Sequence, residues 1–267
     1  MPRDSKTKKT ILPSSLCEKV SFSVPTSWER LTQEDLRYAI RLLWLYGEAP
    51  DWQERVKTAA FLHFCGLDVA RRTEQGWLCR VQETGKAFLL NPELLPSLLQ
   101  HLDWLCHAEQ MTVRIELVDG YKAVDFELRE LMFGNYLMAE NFYQAFLLGK
   151  DSKNLLSLAE ILYAVPDGGD TSAFTEDILT GVFLWFNAVK QLLGQWFPAF
   201  LKPAGEGKAT VTRESTYEST QAQIRLLTKG DVTKQKYILE QTDTWTALAE
   251  LDALAKEAEE IKRKYGK

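Results

Sequence analysis

Near the C-terminus the apolar residues Ala247, Leu251, Leu254, Ala258, Ile261 and Tyr265 recur at alternating spacings of four and three. This is a heptad seam, the pattern that keeps one stripe of a helix facing a single direction, so this stretch must be a helix with one covered side. What covers it is open. Over about three heptads the pattern suits a helix packed on its own domain, and it also suits a helix paired with a partner or a second copy. Ala247 and Ala258 allow close approach in either case, and Glu257 and Lys262 would flank the seam where parallel chains can pair. The candidate partner-binding residues are therefore Ala247, Leu251, Leu254, Ala258 and Ile261, with Trp245 at the entry to the seam.

The segment ahead of this helix reads as a structural break. Gly230 suits a left-handed helix stop, and Asp231 or Thr233 suits the cap of the helix that follows, expected over about 235–264. Gly, Thr and Lys occur here without the order a nucleotide site needs. Gly205, Gly207 and Lys208 likewise lack the preceding strand, the glycine spacing and the following hydroxyl of a phosphate loop. Residues 202–214 read instead as a linker.

Most of the remaining chain also carries helical signals. Thr32 followed by acids opens a helix whose apolar face is Leu36, Ala39, Ile40, Leu43 and Trp44, stopped by Gly47. Asp51 is a candidate cap for a second helix, dominated by Val56, Ala59, Ala60, Leu62 and Phe64 and closed by Gly66, so the two form a helical hairpin. Asn91-Pro92-Glu93 starts another, expected to reach about His107. Further helices are expected over 133–149, 152–164, 174–196 and 215–228. Short β-like runs at Val69, 77–81 and 86–90, punctuated by Gly76 and Gly85, predict a hairpin or meander. Val20, Phe22 and Val24 predict an extended segment. Val113, Ile115 and Leu117 predict a strand or connector before an Asp119-Gly120 turn.

The expected fold is mainly α: a multi-helix domain with a small β hairpin or meander near residues 68–90 and a long C-terminal helix. Its expected organisation is a tail and extended segment over 1–24, a helical domain over 25–201, a linker over 202–214 and a helical pair over 215–267.

Charge and chemistry narrow the function classes. The net charge of −5 hides a +3 N-terminus over 1–9 and a +2 C-terminus over 256–267, which leaves −10 on the body. An acidic body repels phosphate backbones, so no nucleic-acid partner is expected. No apolar run approaches eighteen residues and the first residues lack an apolar signal core, so no membrane span and no export are expected. Cys17, Cys65, Cys79 and Cys106 form no CxxC pair and read as reduced thiols of a cytosolic protein. A zinc set of His63, Cys65, Cys106 and His107 fits no ligand spacing. No nucleophile stands in a recognisable catalytic context, and no catalytic, cofactor or metal residue is nominated.

Three passages carry a resemblance. They are Val24 to Tyr38, with Ser27-Trp28 and Leu31-Thr32; Leu131 to Tyr136, leading to Ala139, Glu140 and Tyr143; and Gly230 to Lys234, with Trp245, Ala247 and Leu251 downstream. In order and content they resemble prophage tail-region proteins regarded as tail-assembly chaperone-like factors. The resemblance implies a non-enzymatic protein of the bacterial host cytoplasm that holds or delivers an elongated tail component such as the tape-measure protein. Two other roles stay open: a structural subunit of the virion tail or connector, and an enzyme with a site near His101, Cys106 and His107. Self-association through the C-terminal helix also stays open.

Overall fold

The structure, a computed structural model, describes residues 8–12, 20–201 and 213–265. The fold is mainly α, with nine α-helices among the described residues and three small antiparallel sheets. The chain divides into two compact units, Met1–Val113 and Arg114–Lys267. The expected helical domain over 25–201 spans that boundary, and the expected C-terminal pair belongs to the second unit. Residues 1–7 of the basic N-terminal tail and residues 202–212 of the expected linker lie outside the described residues.

In the first unit β1 (Lys8–Leu12) pairs antiparallel with β2 (Val20–Val24). The alternation expected of β2 puts Phe22 and Val24 in the core, where the Phe22 ring meets Phe61 edge-on at 5.8 Å. Helix α1 (Gln33–Tyr46) starts at a working cap: the Asp35 amide donates to Thr32 Oγ1, whose hydroxyl donates back to the Asp35 carboxylate. Leu36, Ala39 and Ile40 are buried as expected, but Trp44 stands exposed. Eight residues on from Leu36 it lies about 80° round the helix, off the buried stripe.

Helix α2 (Trp52–Phe64) packs on α1 as the expected hairpin. Its buried residues are Val56, Ala60 and Phe61. The Asp51 carboxylate makes no cap. It takes the Arg55 guanidinium at 2.7 Å instead, because a charged partner one turn on outcompetes a neutral amide. The expected meander forms as β3 (Leu67–Thr73), β4 (Gly76–Val81) and β5 (Ala87–Leu90), paired in that order. Gly76 has φ +138, and a side chain there would meet the Leu90 carbonyl at 2.4 Å, so only glycine lets β4 approach β5.

The helix expected from Asn91 to His107 is corrected. Asn91 does cap, accepting from the Glu93 amide, but a single α-turn, α3 (Leu95–Leu99), is followed by a 3-10 stretch over Gln100–Cys106. Pro96 has no N–H to return to the preceding turn, which denies the α ladder its start. Leu98, Leu102 and Leu105 are still buried, since a 3-10 segment also presents a face.

The second unit opens with β6 (Leu117–Val118) and β7 (Tyr121–Lys122), joined by Asp119 and Gly120, both at positive φ. That is the hairpin chemistry of the Asp-Gly pair. Of the strand or extended connector expected across 111–118, residues 111–116 form a connector and only Leu117–Val118 pair as a strand. Helices α4 (Phe133–Gly149), α5 (Ser152–Leu162) and α6 (Glu176–Trp196) follow close to their expected bounds. Their core includes Phe133, Leu158, Tyr163, Trp185 and Phe186. Its polar edges are satisfied by main chain: the Tyr163 hydroxyl donates to the Ile115 carbonyl at 2.7 Å and the Trp185 indole to that of Phe126 at 2.9 Å.

Helix α7 (Arg213–Thr228) ends at Lys229 and Gly230, both at positive φ, and Asp231 accepts from the Thr233 amide at 3.0 Å, so this break is capping as expected. The single long helix expected over 235–264 is corrected to two, α8 (Gln235–Gln241) and α9 (Thr244–Tyr265). Between them the chain extends to bridge the start of α4. The Phe133 amide donates to the Thr242 carbonyl at 2.8 Å, and the Thr244 amide and hydroxyl both donate to the Leu131 carbonyl. Asp243 then caps α9 through the Thr246 amide and hydroxyl. Gly134 fits this junction because a side chain there would lie 2.7 Å from the Leu239 carbonyl. No helix among the described residues is long and apolar enough to cross a membrane.

Candidate protein-binding surface

The heptad seam is divided by the body of its own unit. Ala247 and Leu251 are buried where α9 packs on α7 and α4, and Leu248 is buried with them. Leu248 lies outside the seam pattern because packing on a domain uses a wider stripe than packing on one helix. Leu254 is half-buried. Beyond it the helix continues uncovered: Ala258 is exposed, Ile261 is 59% exposed and Tyr265 is 81% exposed.

Trp245, expected at the entry to a partner surface, instead contacts its own unit. Its indole N–H donates to the Glu127 carbonyl at 2.7 Å, and the ring meets Trp196 and Phe197 edge-on at 5.8 and 5.4 Å. The Arg129 guanidinium lies 3.9 Å from the ring centre and is held by the Glu127 carboxylate at 2.6 Å. Two turns further, Asp252 is buried at 4% exposure and accepts the Ala199 and Phe200 amides at 2.8 and 3.0 Å. Lys256 closes on its other oxygen at 2.7 Å. Burial works to raise the Asp252 pKa, but Lys256 and the two amides outweigh it, and the carboxyl sits below its ordinary value. The first half of α9 is thus a fixed root and the second half a projecting helix.

The projecting half is polar apart from its stripe. Acidic Glu257, Glu259 and Glu260 precede basic Lys262, Arg263 and Lys264, an order that suits the negative end of the helix dipole. Lys264 and Glu260 form an i,i+4 pair at 3.8 Å. The stretch is helical because the docked root supplies the nucleus that a twelve-residue helix in water lacks.

The other His and Cys candidates lie in the first unit. The His107 ring lies 3.1 Å from its neighbour Glu109 on the surface. Burial raises the Cys106 thiol, Lys57 pulls it down and Asp103 raises it again, so the net effect favours the protonated form over the nucleophilic thiolate. His63 stacks on Tyr38 at 3.8 Å and reaches Asp35 at 3.1 Å, which ties α2 to α1. No group of three or more His, Cys, Asp or Glu side chains among the described residues is placed to hold a metal ion.

One feature escaped sequence reasoning. Between α4 and α6 lies a groove of about 500 Å³, lined by Tyr143 and Gln144 on one side and by Asn187, Lys190, Gln191 and Gln195 on the other. In sequence the α6 residues look like an ordinary solvated helix face, and only the neighbouring helix turns that face into a wall.

No family model, curated protein or solved structure matches this chain.

Proposed function

We propose that this protein is a non-enzymatic binding factor of phage tail assembly, acting in the bacterial cytoplasm to hold or deliver an elongated tail component such as the tape-measure protein. The single observation that carries the binding role is the projecting half of α9, whose apolar stripe of Ala258, Ile261 and Tyr265 is left uncovered. An apolar stripe flanked by charge on a rooted helix suits docking along another helix. The assignment to tail assembly is supported by the three passages of resemblance, of which Leu131 to Tyr136 spans the start of α4 and Gly230 to Lys234 leads, through α8, to Trp245, Ala247 and Leu251 in the α9 root. Trp245, Ala247 and Leu251 then serve the arm by anchoring it, and Leu254, Ala258 and Ile261 make the contact.

Co-purification of the full chain with the tape-measure protein tests this reading. The pair should be recovered together, and Ile261→Asp should release the partner while leaving the fold intact. Recovery unaffected by Ile261→Asp would remove the arm from the interface, and no recovery of the pair would remove the tape-measure assignment. A structural tail subunit is the rival role. Mass spectrometry of purified particles separates the two, since a chaperone leaves the particle and a subunit stays at fixed stoichiometry.

A further inference from the structure

The outer half of α9 carries two charges that its own chain leaves unanswered. Along the helix Lys256 pairs with Asp252 at 2.7 Å and Lys264 with Glu260 at 3.8 Å. Glu257 and Lys262, exposed on either side of the apolar stripe, have no ion pair among the described residues. They cannot satisfy each other, because five helical residues advance about 7.5 Å and turn about 140°.

Their spacing is the one that pairs between helices. Glu257 immediately precedes one seam residue, Ala258, and Lys262 immediately follows the next, Ile261. In two parallel helices in register, the residue before one seam position meets the residue five further along the other helix, and such flanking pairs set partner choice and orientation. Glu257 then meets Lys262 of a second copy, and twofold symmetry makes the contact twice. An antiparallel pair would instead set glutamate against glutamate and lysine against lysine, which repel.

The preceding heptad lacks this complement. Glu250 stands before Leu251 and Ala255 follows Leu254, so no opposite charges flank the seam there, and Leu251 is buried in its own unit. Self-complementary charge therefore begins where the cover of the body ends, and Ala258 lets two helix axes come close at the first uncovered layer. We infer that the outer half of α9 pairs in parallel with the same segment of a second copy, through Ala258, Ile261 and Tyr265 and two Glu257–Lys262 contacts. The contact spans little more than one heptad, so the pair is weak and dilution frees the arm. Such pairing adds regulation to the function above, since a tail component docking on this stripe competes with the second copy. That last step rests on the tail-assembly reading, whereas the pairing does not.

Sedimentation velocity of the full chain alone, from micromolar to the highest soluble concentration, tests the pairing. The mean mass should rise with concentration from one chain toward two. Glu257→Lys and Lys262→Glu, each checked for folding by circular dichroism, should each weaken the pair about tenfold, because two exposed contacts turn from attraction to repulsion. The two variants shift the net charge in opposite directions, so a general charge effect would part them. The double variant Glu257→Lys/Lys262→Glu should restore the pair. A mean mass that stays at one chain, a single variant that pairs as well as wild type, or a double variant that stays weak would each overturn the inference. No tail component is present, so these outcomes are independent of the co-purification that tests the tail-assembly role.

Discussion

The Trp245 indole donates to the Glu127 carbonyl at 2.7 Å while Arg129, two residues along from Glu127, lies 3.9 Å from the centre of the same ring. One loop thus grips both the polar edge and the face of a single side chain at the first turn of α9. The loop is itself tied back, since the Asp125 carboxylate accepts the Glu127 and Arg129 amides at 2.8 and 3.2 Å. A residue that looks from its sequence position like a partner anchor is the root by which the arm is fixed to its own unit.

Trp245→Phe should therefore destabilise the second unit. The substitution keeps most of the apolar contact, removes the donor to Glu127 and weakens the cation–ring attraction, for a cost of about 2 kcal/mol. Urea unfolding followed by circular dichroism reads the change as a lower midpoint at unchanged slope.

Asp252 gives the root a pH dependence whose sign follows from its lowered pKa. A carboxyl depressed in the folded state stabilises above its unfolded value of about 3.9, and that contribution is lost as pH falls through the folded value. Asp252→Asn should cost about 2 kcal/mol at neutral pH, where the carboxylate holds two amides and Lys256. The gap between wild type and variant should narrow below about pH 4. A gap that stays constant down to pH 2 would contradict this account.

Local chemistry made much of this fold legible, and tertiary bonding limited the rest. The Thr32 cap, the Asp119-Gly120 turn and the Gly230-Asp231 break are each decided by neighbours in sequence, and each forms as expected. The break at Thr242-Asp243 carries a local cap in Asp243, but α8 ends there through bonds to Leu131 and Phe133, more than a hundred residues away, and the apolar periodicity runs across it. The seam was legible as a covered stripe but not as a divided one, because a heptad does not say where the domain ends beneath it. Asn187, Gln191 and Gln195 of α6 were in plain view, yet polar residues on a helix read as solvated until α4 is known to lie beside them.

Two glycines inside helices should respond to alanine with opposite sign. At Gly134 the added carbon would lie 2.7 Å from the Leu239 carbonyl, so α8 must shift from α4 and stability should fall by about 1–3 kcal/mol. At Gly194 the nearest obstacle is 3.9 Å away, and alanine should stabilise by about 0.5–1 kcal/mol through helix propensity. Thermal melts of the two variants beside wild type check both.

Thiol accessibility gives a separate check on the first unit. Burial pushes the Cys65 thiol up to about 12 and raises those of Cys79 and Cys106, so little thiolate is present at pH 8. Of the four cysteines, at most one should react quickly with a disulfide reagent in the native protein, and denaturant should expose the others. Two or more fast thiols would mean that these side chains are not packed as described.

The division of the seam predicts that its two halves answer to different measurements. Leu251 is buried at the root, so Leu251→Ala should cost about 2–5 kcal/mol of stability whatever the protein binds. Ile261 stands 59% exposed a few turns beyond, so Ile261→Asp should change stability by no more than about 0.5 kcal/mol. Its effect should appear only in recovery of the partner. If Ile261→Asp lowered the unfolding midpoint of the isolated chain as much as Leu251→Ala, the outer half of α9 would be covered in solution and the arm would not be free to bind. If the midpoint of wild type alone rose with protein concentration, the cover would be a second copy.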